Sequence, residues 1–229
     1  MAFAIRKPID PIMKTIEVTK LATESEKPDL EEISAKLDKL PGKYRIETLN
    51  WKEFEYKPEV IFSIAYGEKE IFLKYYVKEN YIKAEKTETN QMVCEDSCVE
   101  FFISPGDDGI YYNLEFNPIG TCLLGTGTSR ADSRRADPEI ISGIRRLASA
   151  GTSPFSERTG ETEWTLTLAI PFSVFFHHEI KDLKGRTFRA NFYKCGDNLT
   201  VPHYVTWNPV GTENPDYHQP KYFGTLKFV

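Results

Sequence analysis

Glutamate, asparagine and arginine recur at alternate positions in three short apolar runs of this chain. In Cys98-Val99-Glu100-Phe101-Phe102-Ile103, Val99, Phe101 and Ile103 share one face of an extended strand, and Glu100 shares the other with Phe102. In Tyr111–Asn117, Tyr112, Leu114 and Phe116 alternate with Tyr111, Asn113, Glu115 and Asn117. In Phe188–Lys194, Phe188, Ala190 and Phe192 alternate with Arg189, Asn191 and Tyr193. If these strands are neighbours, Glu100, Asn113, Glu115, Arg189 and Asn191 form a polar stripe on one sheet. Carboxylates and amides bond hydroxyls, arginine donates in a planar fork, and tyrosine stacks or hydrogen-bonds. That mixture suits a neutral polyol such as a sugar. The other reading is the solvated outer face of an antiparallel sheet, which needs no ligand.

A second cluster lies near the end of the chain. Tyr204, Trp207, Asn208, Asn214, Tyr217, His218 and Gln219 crowd a stretch broken by Pro209, Pro215 and Pro220. A proline-stiffened loop holding aromatics and amides loses little entropy on binding. Against that, a lone tryptophan such as Trp207 is often a core anchor.

The elements that must position these residues are mostly strands. Turn signals punctuate runs of period two at Tyr44–Leu49, Val60–Tyr66, Glu70–Val77, Tyr81–Lys86, Thr121–Gly125, Trp164–Ala169 and Lys221–Phe228, besides the three runs above. Gly67-Glu68-Lys69 and Pro105–Gly109 read as hairpin turns. About ten short strands with few helices predict an all-β fold, an antiparallel sandwich or jelly roll. Before it, residues 1–40 read as a flank. Asp29 and Glu32 form a capping-box variant, Leu30, Ile33, Leu37 and Leu40 share one helical face, and Pro41-Gly42 ends the helix. The sandwich is expected over 41–229, with a long Gly-, Ser- and Arg-rich excursion from Thr126 to Gly160 and an irregular strand near Ile140–Ala148. Pro171–Phe176 reads as a short helical turn entered through proline.

Composition closes off several functions. Lys plus Arg is 29 and Asp plus Glu is 34, a net charge of −5, against the clustered basic surface of a nucleic-acid binder. No apolar run approaches the roughly 18 to 20 residues of a membrane span. The opening stretch MAFAIRKPIDPIMK, interrupted by Pro8 and Pro11, does not read as a secretory signal. This leaves a cytoplasmic protein or one already processed for the periplasm or exterior. Cys94, Cys98, Cys122 and Cys195 show no zinc-type spacing and read as small buried hydrophobes. No phosphate-binding glycine loop or Ser-His-Asp order is present, and the adjacent His177-His178 is a poor metal pair on a strand.

The run Glu95-Asp96-Ser97-Cys98-Val99-Glu100-Phe101-Phe102-Ile103 resembles the Asp-Ser-Val-Glu-Ile-Phe strand of carbohydrate-binding module family 9. The resemblance continues through Asn113–Asn117, Trp164–Pro171, Phe188-Arg189-Ala190-Asn191, Thr206-Trp207-Asn208-Pro209 and Lys221–Leu226, covering roughly 40 to 229. It implies a β-sandwich that binds sugars, often the ends of plant polysaccharides. Such modules are commonly attached to glycoside hydrolases, and related bacterial proteins are free-standing. By this resemblance Glu100 matches the sugar-binding glutamate and Asn214 a binding asparagine. Tyr217 stands where the family has one of its two stacking tryptophans. The other tryptophan is replaced by Val93-Cys94, and an arginine by the Tyr111-Tyr112 region, so half of the aromatic clamp differs. Trp51, Trp207 or Tyr111 are the candidates to substitute.

The expected function is therefore non-catalytic binding of an oligo- or polysaccharide, linked to polysaccharide catabolism. Glu100, Asn113, Glu115, Arg189 and Asn214 would supply polar contacts, and Tyr111, Trp207 and Tyr217 stacking. Two alternatives stand: a glycoside hydrolase with Glu100 and Glu115 as its carboxylate pair, or a structural or interaction sandwich that has lost the sugar site. No cofactor is expected. Calcium accompanies some sugar-binding sandwiches, and Asp107-Asp108 offers oxygens without an ordered ligand spacing. The oligomeric state and the identity of the sugar are not legible.

Overall fold

The computed structural model describes residues 13–229, so the proline-interrupted opening around Pro8 and Pro11 lies outside the described residues. The chain forms β1 (Thr15–Lys20), α1 (Leu30–Asp38), two short pieces β2 (Tyr44–Arg45) and β3 (Thr48–Leu49), and a hairpin of β4 (Glu59–Tyr66) and β5 (Glu70–Ala84). There follow β6 (Cys98–Ser104), β7 (Tyr111–Phe116), β8 (Cys122–Gly127), β9 (Arg134–Arg135) and α2 (Pro138–Ser142). The last elements are β10 (Arg145–Ala148), β11 (Phe155–Pro171), β12 (Thr187–Cys195), β13 (Tyr204–Thr206) and β14 (Gly224–Phe228).

These strands build two facing layers. The first runs β14-β12-β6-β7-β8-β9, with β13 beside β12 and β3 beside β13; the second runs β10-β11-β5-β4, with β2 on β4. Apart from the two pairings of β1, which are parallel, all pairings among the described residues are antiparallel. β1 joins the layers: Thr15–Val18 run along β14, and Thr19 and Lys20 along the end of β4. The inward residues of both layers make the core. Phe192 stacks between Phe62 and Phe101 at centroid distances of 3.9 and 4.9 Å, and Trp207 meets it edge-on at 5.6 Å.

The sandwich, the alternation of β6, β7 and β12, and the hairpin turns follow the sequence reading. So does α1, where Asp29 accepts from the Glu31 amide at 2.8 Å and Ile33 and Leu37 are buried against Ala65, Phe72 and Ala169. Within the expected flank, β1 is hydrogen-bonded into both layers; Ile16 and Val18 alternate inward, a pattern too short to stand out in sequence. Two expectations are corrected. The runs 70–77 and 81–86 are one strand, since β11 partners β5 along most of its length and absorbs the polar interruption in register shifts between Phe155 and Thr162. The stretch near Ile140 begins as a helix: Asp137 caps it by accepting from the Glu139 amide at 2.8 Å, and Pro138 occupies its first turn.

Candidate functional site

Strand neighbourhood brings the predicted stripe together in part. β6 lies between β12 and β7, and its register sets Tyr193, Glu100, Glu115 and Leu123 in one cross-strand row. The next row is Asn191, Phe102, Asn113 and Gly125. These rows face away from the inter-sheet core. A second apolar cluster containing Trp51, Val93, Phe102, Tyr193 and Tyr217 covers part of this face. What stays uncovered is a cleft of ≈ 400 Å³, within the range of about 300–1,000 Å³ common for small-ligand sites. The buried Glu100, Phe102, Glu115 and Cys195 make its floor, and Asp197, Met92, Cys94, Arg130, Ser133, Arg135, Tyr204, Pro215, Tyr217 and His218 complete its lining.

The floor carboxyls are side by side and almost fully buried, Glu100 at 3% and Glu115 at 6% exposure. Burial, and then the neighbouring Glu115, hold the Glu100 proton well above the ordinary carboxyl range. Burial likewise lifts Glu115 to about 7, against the opposing pull of its Asn113 hydrogen bond and of Arg135. Asn113 Nδ2 donates to Glu115 Oε1 at 2.8 Å, and the Cys195 thiol donates to Glu100 Oε1 at 3.0 Å. Asp197, on the same face two residues beyond Cys195, is also raised by burial. Burial thus shifts these carboxyls toward the protonated form, which both donates and accepts and so suits hydroxyl ligands. Gly125 is required here: a Cβ at that position would lie 2.5 Å from Asn113 Oδ1.

The walls are braced by polar contacts of their own. Arg130 donates from Nε and Nη2 to Asp216 Oδ1 at 3.1 and 2.9 Å, tying the 126–160 excursion to the C-terminal loop. Burial, and then the Arg130 charge, lower His218 to about 4, and the Tyr111 hydroxyl meets its Nδ1 at 2.7 Å. Arg135 is exposed and lies 3.2 Å from Met92 Sδ.

Of the eight residues expected to contact ligand, Glu100, Glu115 and Tyr217 line the cleft. Tyr217 does so with little open ring: it is 7% exposed, stacks on Tyr193 at 4.0 Å, and donates its hydroxyl to the Lys194 carbonyl. Asn113 and Tyr111 are buried behind the surface, orienting Glu115 and His218. Asn214 is exposed on the loop just before the lining residue Pro215.

Two placements correct the expectation. Trp207 is an inter-sheet core residue, 3% exposed against Phe62 and Phe192, because its position after β13 points inward. Arg189 is spent on the backbone, donating to the carbonyls of Phe223 and Gly224 at the start of β14. Asn191 behaves similarly: it accepts from the Asn208 amide and donates to the Asn208 carbonyl, while Asn208 itself bonds Lys14 and Tyr222. Asp96 accepts from the Glu85 and Lys86 amides and from Asn117, closing the end of β5. Much of the recognisable motif set thus holds the sandwich together. Asp108 caps the β6–β7 turn, accepting from the Ile110 amide at 3.0 Å.

Arg130, Arg135 and Asp197 were not singled out from sequence. Extending the alternation of β12 past Cys195 points to Asp197, whereas the arginines reach the cleft only through the path of a loop.

A comparison with solved structures finds a proposed carbohydrate-binding protein from Bacteroides uniformis, 41% identical, with a TM-score of 0.91 over 95% of this chain and 100% of that one. A family 9 carbohydrate-binding module from Caldicellulosiruptor kristjanssonii in complex with glucose is 13% identical, with a TM-score of 0.52 over 94% of this chain and 96% of that one. A family 9 module from the same organism in complex with cellotriose is 10% identical, with a TM-score of 0.55 over 94% and 93%. No curated protein matches the chain. The model of carbohydrate-binding family 9 matches residues 32–228, the span that carries both layers and the cleft, and the chain belongs to that family.

Proposed function

We propose that the cleft over β6 and β7 binds a saccharide and holds it without catalysis. The observation that carries this reading is the floor: Glu100 and Glu115, paired across neighbouring strands and buried, with Phe102, Tyr204, Tyr217 and His218 around them. Two carboxyls shifted by burial toward the protonated form offer donors and acceptors to adjacent hydroxyls, and aromatic edges and faces give apolar contact to a pyranose ring. Glu100 and Glu115 stand side by side on the cleft floor, where both can bond hydroxyls of one ring. The Caldicellulosiruptor complexes make glucose and cellotriose the first ligands to test. A role beside glycoside hydrolases in polysaccharide breakdown is the setting in which such binding is useful.

Calorimetric titration with glucose, cellotriose and a wider glycan panel tests the proposal. Affinity in the micromolar to millimolar range, about −4 to −8 kcal/mol, is expected. Glu100→Gln and Tyr217→Ala should each weaken it by about two- to tenfold while circular dichroism shows a folded protein, since hydrogen bonds and ring contacts are worth about 0.5–1.5 kcal/mol each. Unchanged affinity in both variants would refute the assignment. One observation favours a second reading, an interaction sandwich without a sugar site: Trp207 and Tyr217 are 3% and 7% exposed, so neither presents an open ring. Silence across the panel would decide for it.

A further inference from the structure

Two of the four cysteines, Cys98 and Cys195, face each other across neighbouring strands beside the cleft. Cys98 and Glu100 are two residues apart on the outward face of β6, and Cys195 lies directly across from Cys98 on β12. The two thiol sulfurs and a Glu100 carboxylate oxygen lie within 4.8 Å of one another, and all three residues are buried. Cys94 and Asp197 line the cleft beside them. Spacing along the sequence hides this grouping, because zinc-type motifs are recognised by ligands close in sequence and here strand pairing supplies the third.

We propose that Cys98, Glu100 and Cys195 form a binding site for a thiophilic divalent cation, zinc or a zinc-like ion, at the floor of the cleft. A tetrahedral zinc with bonds of about 2.3 Å to sulfur and 2.0 Å to oxygen needs its ligand atoms about 3.5–3.8 Å apart. The present spread of at most 4.8 Å requires side-chain adjustment and no change of backbone register. Two thiolates and one carboxylate are a borderline-soft donor set that favours zinc over calcium or magnesium. Glu100 and Cys195 line the cleft, so an ion is reached from there and its fourth position falls to water or to a ligand hydroxyl. Arg130 and Arg135 along the same cleft offset the single negative charge that three anionic ligands leave on a divalent ion.

Without the ion these groups keep their protons. Burial pushes the Cys98 thiol up to about 12 and raises Cys195 and Glu100 well above their ordinary ranges.

The test uses the full chain, reduced and freed of metal, titrated with Zn²⁺ against a chromophoric chelator and with Cd²⁺ by ultraviolet absorption. One equivalent of each should bind, and the cadmium form should show thiolate-to-metal charge-transfer absorption with the intensity of two thiolates. Cys98→Ala and Cys195→Ala should each weaken binding by more than about tenfold. Cys122→Ala, which alters a thiol facing the inter-sheet core, should bind as the unaltered chain does. Absence of charge-transfer absorption in the unaltered chain overturns the proposal even if a variant fails to fold, and so does unchanged binding in both cleft variants. The readout contains no sugar, so failure of the saccharide reading leaves this result standing and the reverse holds as well.

Discussion

Glu115 is where the chemistry of the cleft becomes a stability measurement. Its carboxyl is held up to about 7 in the folded chain, against an ordinary value of 4.5. Each pH unit of that gap is worth about 1.4 kcal/mol, which gives about 3 kcal/mol in all. The sign follows from proton counting. Between the two values the folded state keeps a proton that the unfolded state has released, so stability is full below 4.5, declines as pH rises and levels off above about 7. Glu100, raised in the same direction, steepens the decline. Glu115→Gln keeps an oxygen for Asn113 Nδ2 to donate to but carries no titrating proton, so it removes this share of the slope. Urea unfolding from pH 4 to 9, with slope and midpoint fitted at each pH, should show the unaltered protein losing about 3 kcal/mol relative to the variant across that window. Parallel stability profiles for the two proteins, or a relative gain in the unaltered protein as pH rises, would refute the reasoning.

Trp207→Ala should cost about 3–5 kcal/mol in thermal unfolding, because it empties an inter-sheet site between Phe62 and Phe192, yet leave saccharide affinity unchanged in the folded fraction. Arg189→Ala should destabilise by about 1 kcal/mol in urea through loss of its bonds to the Phe223 and Gly224 carbonyls, again with affinity unchanged by calorimetry. Gly125→Ala should do the opposite to function: its new Cβ would meet Asn113 Oδ1 at 2.5 Å, dislodge the amide that orients Glu115, and weaken saccharide binding measurably in the same assay.

The inward halves of β6, β7 and β12 were legible because strand alternation has a fixed period, and Phe101, Leu114 and Phe192 obey it. The outward polar halves were legible as a set but not in role. Glu100 and Glu115 reach the cleft, whereas Arg189 and Asn191 on the same face meet nearby backbone and are spent there. Residue type alone does not separate these outcomes, since a guanidinium bonds a carbonyl of β14 as readily as a ligand. Trp207 looked available because prolines surround it, but a single inward turn of the chain after β13 buries it. Arg130, Arg135 and the meeting of Cys98 with Cys195 depend on which strands pair and how a loop of some thirty residues returns, information carried by tertiary packing.

Amide chemical-shift mapping by NMR with titrated cellotriose and related oligosaccharides tests the central claim most directly. The account predicts saturable shifts concentrated at the cleft, in Phe102, Glu115, Asp197, Tyr204 and His218, and their loss in Glu100→Gln. Absence of saturable shifts with every saccharide, or shifts gathered instead around the groove beside Ile110 and Phe176, would contradict it.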